Sequence, residues 1–105
     1  RQRNARYSAL VASNDDMAAG ALIAVQRRGL HVPGDVSVAG FDDAATAAAM
    51  WPPLTTIRQP VAEMAATAAR KVIEYQRDPE ATLDSVQLDY ELVVRESTGA
   101  APQRR

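Results

Sequence analysis

The chain has 105 residues, room for one domain at most, and its 47% hydrophobic content supports a packed core and argues against disorder over most of the length. Lys+Arg total 12 against 13 Asp+Glu, a net charge of -1, so the chain lacks the basic face of a nucleic-acid-binding module. There is no cysteine, which excludes a disulfide framework, a zinc-thiolate site and a thiol nucleophile and leaves the compartment open. No apolar run approaches a membrane span and no signal peptide opens the sequence, which fits a cytoplasmic protein or a fragment without its targeting segment.

Taken in order, Arg1 to Arg6 is polar and expected to be loose. Tyr7 to Ala12 reads as a buried strand, followed by a helix from about Asp15 to Arg28. Ser13 or Asn14 can cap that helix, Asp15 and Asp16 suit the positive end of its dipole, and Gly29 suits the position past its end. Met17, Ala18, Ala21, Leu22 and Val25 recur at helical spacing. Pro33-Gly34 marks a turn in the loop Leu30 to Asp35. His31, the one histidine, lies in that loop and is read as a surface residue at the end of the sheet away from the carboxylates.

Val36 to Phe41 is a nearly continuous apolar run that ends abruptly in Asp42 and Asp43. Such a run suits a parallel strand covered on both faces, and ligands in such sheets bind beyond the strands' carboxyl ends. Two readings stand for the pair: a strand delivering a carboxylate to a ligand cleft, and a strand followed by an Asp-capped turn. Strand, helix and strand in succession make a βαβ unit.

Asp43 to Met50 predicts a short alanine-rich helix stopped by Trp51-Pro52-Pro53, and Leu54 to Arg58 a β-branched strand. A helix from Pro60 to about Gln76 carries an apolar stripe of Val61, Met64, Ala65, Ala68, Val72 and Ile73. Glu80 to Ser85 is a polar connection. Val86 to Arg95 alternates as a half-buried strand long enough to change sheet partway, and Gly99 to Arg105 is a tail. Four strands and three helices are fewer than a parallel sheet with two covered faces needs. The expectation is therefore the C-terminal part of a larger α/β protein, with exposed sheet edges if isolated.

Four blocks of the sequence resemble the LacI/GalR transcription regulators: Ala12 to Leu22, Gly29 to Asp43, Pro52 to Pro60 and Leu92 to Thr98. Their order and spacing agree with that family from Leu10 to Thr98. The resemblance implies an α/β fold, part of a Rossmann-like, periplasmic-binding-protein-like effector domain with a parallel sheet flanked by helices. In that family two subdomains close on a small molecule, often a sugar or nucleobase, and a separate N-terminal headpiece binds operator DNA. Carried over, residues 1–58 belong to the C-terminal effector subdomain, 59–90 cross to the N-terminal one, and 91–105 form a return strand and tail. The resemblance further implies a homodimer or tetramer, with Met17 to Leu22 and Ala44 to Met50 where subunits pack. No cofactor is implied.

By position, Asn14 and Asp42 match the family's polar effector contacts and Gln59 is a weaker candidate near the hinge. An ionised Asp42 would accept hydrogen bonds from ligand hydroxyl or ring N–H groups, and Asn14 can donate and accept. A helix cap stands as the other reading of Asn14, and Asp15, Asp16 and Asp43 are read as structural. A periplasmic solute receptor of the same fold is the alternative function. Magnesium held by the two Asp pairs is a third, but the chain lacks a Gly-rich phosphate loop and a Ser/His/Asp constellation, and its one lysine, Lys71, lies mid-helix. No enzymatic activity is expected.

Overall fold

The protein is described by a computed structural model covering residues 7–80 and 85–102. The expectations for Arg1 to Arg6, for most of the polar connection before Ser85 and for the last three residues of the tail fall outside the described residues. The elements run β1 (Ala9–Val11), α1 (Asp15–Arg27), β2 (Ser37–Ala39), α2 (Ala45–Ala49), β3 (Thr56–Arg58), α3 (Val61–Arg77) and β4 (Glu91–Val93). The chain divides into two compact units, Arg1–Arg58 with Glu91–Arg105, and Gln59–Tyr90.

In the first unit β1 and β2 pair in parallel, with Ala9 opposite Ser37 and Val11 opposite Ala39. A parallel bridge from Ala39 to Thr55 sets β3 beside β2, and β3 pairs antiparallel with β4, Thr56 opposite Val93. The core is small: Ala18 and Leu22 of α1, Val38 of β2, Ala47 of α2, and Leu54, with Ala12, Val32 and Met50 against it. The alanines at 18 and 47 carry no side chain beyond Cβ, which lets α1 pack closely against β2 and α2.

The punctuation of α1 follows its residues. The Asn14 side chain accepts from the Met17 N–H at 2.8 Å, so Asn14, not Ser13, is the cap. At the other end Gly29 has φ 81°, its N–H donates to the Gln26 carbonyl at 3.0 Å, and the Leu30 N–H reaches the Val25 carbonyl at 3.1 Å. These are the paired bonds of a Schellman ending, which needs a residue tolerant of positive φ.

Between β2 and β3 the strands are held by a side chain. The Ser97 hydroxyl donates to the Val38 carbonyl at 2.5 Å and accepts from the Thr55 N–H at 2.8 Å, while the Val38 N–H donates to the Ser97 carbonyl at 2.9 Å. Ser97 is fully buried, as a polar group so completely paired can be.

Three expectations need correction. Residues Ala9 to Val11 are exposed rather than buried, because β1 has a strand partner on one side only. The long final strand shrinks to Glu91–Val93, and residues 85–90 have no regular structure. Its alternation gives half-burial on that face at Leu88 alone, since Val86, Tyr90, Leu92 and Val94 are all exposed. In the second unit α3 forms as its periodicity predicts, yet none of its residues is buried.

Candidate ligand-binding site

The parallel pairing of β1 and β2 brings two loops to one rim. Asn14 and Asp42 each lie just beyond the carboxyl end of their strand, β1 and β2, on the side where ligands bind in open parallel sheets. The cap uses the oxygen of the Asn14 carboxamide, and its NH2 is a donor group that the cap does not employ. Gln59 opens the second unit, half-buried, and its carbonyl accepts from the Val61 N–H at 2.9 Å.

The backbone at Asp42 and Asp43 is unusual. Asp42 has φ 116° and Asp43 φ 56°, two successive non-glycine residues at positive φ. The second lies in the left-handed region that Asp tolerates, and the first lies outside it; such conformations cost about 1–3 kcal/mol each and persist only where neighbours hold them. The neighbours are identifiable. The Asp42 N–H donates to the Ile57 carbonyl at 2.9 Å and the Asp43 N–H to the Thr56 hydroxyl at 3.2 Å. Asp42 itself is exposed.

The Asp43 carboxylate sits between two guanidinium groups. Arg58 Nε approaches Oδ2 at 2.8 Å and Arg95 Nη2 approaches Oδ1 at 2.8 Å. The hydrogen bond from Arg58, then that from Arg95, holds the Asp43 pKa below its ordinary 3.8, against the opposing effect of partial burial. Arg58 also reaches Glu91 at 3.1 Å, an exposed pair that adds little. Arg95 is anchored independently by a bond from Nη1 to the Leu54 carbonyl at 2.9 Å.

Behind the rim, Asp15 is 1% exposed. Its Oδ1 accepts from the Thr56 hydroxyl at 2.7 Å and its Oδ2 from the Ala44 N–H at 2.6 Å, so one carboxylate joins α1, β3 and the loop before α2. Gly40 lies against this carboxylate: a Cβ there would strike Asp15 and come within 3.1 Å of Leu54 Cδ2. Asp15 and Asp43 are thus structural, as expected. Among the described residues no group of three or more His, Cys, Asp or Glu side chains could hold a metal ion. At the opposite rim, a cleft of ≈ 450 Å³ is lined by residues including Gln26, His31, Trp51 and Glu96.

The roles of Arg58, Arg95 and Thr56 are absent from the sequence reading. Each pairs with a residue far along the chain, so no local spacing announces it. The one local signal is two adjacent aspartates after a glycine, with more carboxylates than a turn requires.

A parallel α/β layer with polar side chains at its strand tips is the arrangement found in α/β folds that bind ligands beyond the carboxyl ends of their strands. The chain belongs to the periplasmic binding protein-like domain family, whose model matches residues 1–98. It is 45% identical over 98 residues to the transcriptional regulator MalR of Streptomyces coelicolor, covering 93% of this chain and 28% of that protein. Among solved structures it is similar to the Escherichia coli transcriptional repressor ascG, at 41% identity and TM-score 0.76, over 90% of this chain and 35% of that one. A LacI-family regulator from Enterococcus faecium with bound ribose matches at 29% identity and TM-score 0.79, over 96% of this chain and 37% of that one. The resemblance to the LacI/GalR regulators and the periplasmic-binding-protein-like fold are therefore borne out, and the chain spans between a quarter and two fifths of these relatives' lengths.

Proposed function

We propose that this chain is the effector-sensing and dimerisation part of a LacI/GalR-type transcriptional regulator, taking a sugar-like or nucleobase-like molecule at Asn14 and Asp42, with Gln59 as an additional contact. The observation that carries the reading is the presence of Asn14 and Asp42 at the carboxyl ends of neighbouring parallel strands. An exposed carboxylate on a backbone held at positive φ is a pre-set acceptor for hydroxyl groups. The ribose bound to the Enterococcus faecium relative supports a sugar as the class of effector.

In this reading residues 1–58 form part of the C-terminal effector subdomain, 59–90 cross to the N-terminal one and 91–105 return. The division of the chain after Arg58 and after Tyr90 supports it, as does the exposed apolar stripe of α3. Subunits of a homodimer or tetramer pack through α1 and the region around α2, where Met17 and Trp51 are 57% and 81% exposed. The headpiece of the whole regulator binds operator DNA in the cytoplasm, and effector binding shifts the balance of two states by its difference in affinity for them.

Calorimetric titration of the full-length regulator with a panel of sugars that includes D-ribose tests the site. Asp42→Ala should weaken the sugar bound by the unaltered protein about tenfold or more, the worth of a charge-assisted hydrogen bond. Equal affinity in the variant refutes the assignment.

A further inference from the structure

We propose that Asp43 is a positioning residue: clamped between Arg58 and Arg95, its carboxylate holds the Gly40–Asp43 loop in the conformation that presents Asp42, and so couples that loop to β3 and β4. This rests on the reading of Asp42 as an effector contact. The bonds made by the loop point one way. Besides the Asp43 carboxylate, the Asp42 N–H and the Asp43 N–H both go to β3, at Ile57 and Thr56. Arg58 ends β3 and Arg95 follows β4 by two residues. The chain leaves the first unit directly after Arg58 and re-enters it at Glu91, the residue whose carboxylate Arg58 also meets.

The arrangement is more than a surface ion pair. The Asp43 side chain is 11% exposed and that of Arg95 18%, both oxygens of one carboxylate are used, and two successive residues are kept at positive φ beside it. The two cations come from different segments, Arg58 from the end of β3 and Arg95 from beyond β4, and the Asp43 carboxylate bonds both, one through each oxygen. Displacement of either crossover strand along its axis would pull on Asp43 and hence on the backbone of Asp42.

Amide hydrogen exchange on this chain, without ligand, tests the proposal apart from effector binding. In Asp43→Asn the amides of Asp42 and Asp43 should exchange about tenfold faster, the loss expected for a charge-assisted bond, while those of Val38 and Gly40 in the same segment keep their rates. Arg58→Gln, at an exposed position, should raise the same two amides severalfold and serves if Asp43→Asn does not fold. In the unaltered chain, acidification through the Asp43 pKa should expose the same two amides selectively, after correction for intrinsic rates. Unchanged rates at 42 and 43, or a uniform rise that includes Val38 and Gly40, overturn the proposal. Failure of Asp42→Ala to alter sugar affinity would instead remove the contact and leave the clamp standing.

Discussion

Gly40 and Asp15 depend on each other. The glycine leaves space that the Asp15 carboxylate occupies, and the carboxylate then satisfies Thr56 and Ala44. Gly40→Ala should cost about 2–3 kcal/mol in urea unfolding, because the added methyl meets atoms that cannot move away without breaking these bonds. Asp15→Ala should cost about 2–4 kcal/mol, since it removes a buried acceptor and leaves a hydroxyl and an N–H without it. Asp43 supplies a pH dependence whose sign follows from its depressed pKa. The stabilisation is present above the ordinary aspartate value of 3.8 and is lost as pH falls through the lower, folded value. Thermal melts should therefore separate the unaltered chain from Asp43→Asn near neutral pH, with the difference shrinking below pH 3.8.

At the scale of elements, α1 was legible because its boundary residues act locally. Asn14 and Gly29 each solve a problem of the helix end within a few residues. Replacing Asn14 by Ala should destabilise the fold by about 1 kcal/mol through loss of the cap, measured by urea unfolding without any ligand. β4 was legible only in outline. Its alternation is real, but burial depends on what packs against each face, and that is not written in the strand's own residues. The Asp43 clamp was illegible for a related reason: Arg95 lies 52 residues from Asp43, and nothing between them marks the pairing. α3 shows the converse, a clear stripe with nothing buried. A single 17-residue helix of this kind is marginal in water. In the isolated chain its amides should exchange far faster than that of Leu22, which is fully buried in α1.

For the whole molecule, the fold class followed from order alone: apolar runs alternating with helical periods produce parallel strands and their crossovers. The four family blocks correspond to the segments that make the cross-chain contacts, including Asp43, Leu54 to Arg58 and Arg95 to Ser97. Exposed Leu10, Val11, Met17 and Trp51 on the first unit, and Val72 and Ile73 on the second, lead us to expect that the isolated chain self-associates. Light scattering across a range of concentrations should show mass rising above that of one chain. A monodisperse monomer that melts cooperatively at high temperature would contradict this.

The Ser97 wedge bears on the order in which the polypeptide is made. Val38 and Thr55 leave the ribosome long before Ser97, by 59 and 42 residues, yet the middle of the sheet is not sealed until that hydroxyl arrives. During synthesis the early strands must therefore stand without this tie until the segment carrying Ser97 has emerged, and the interval between Thr55 and Ser97 is when they lie open to chaperones and proteases.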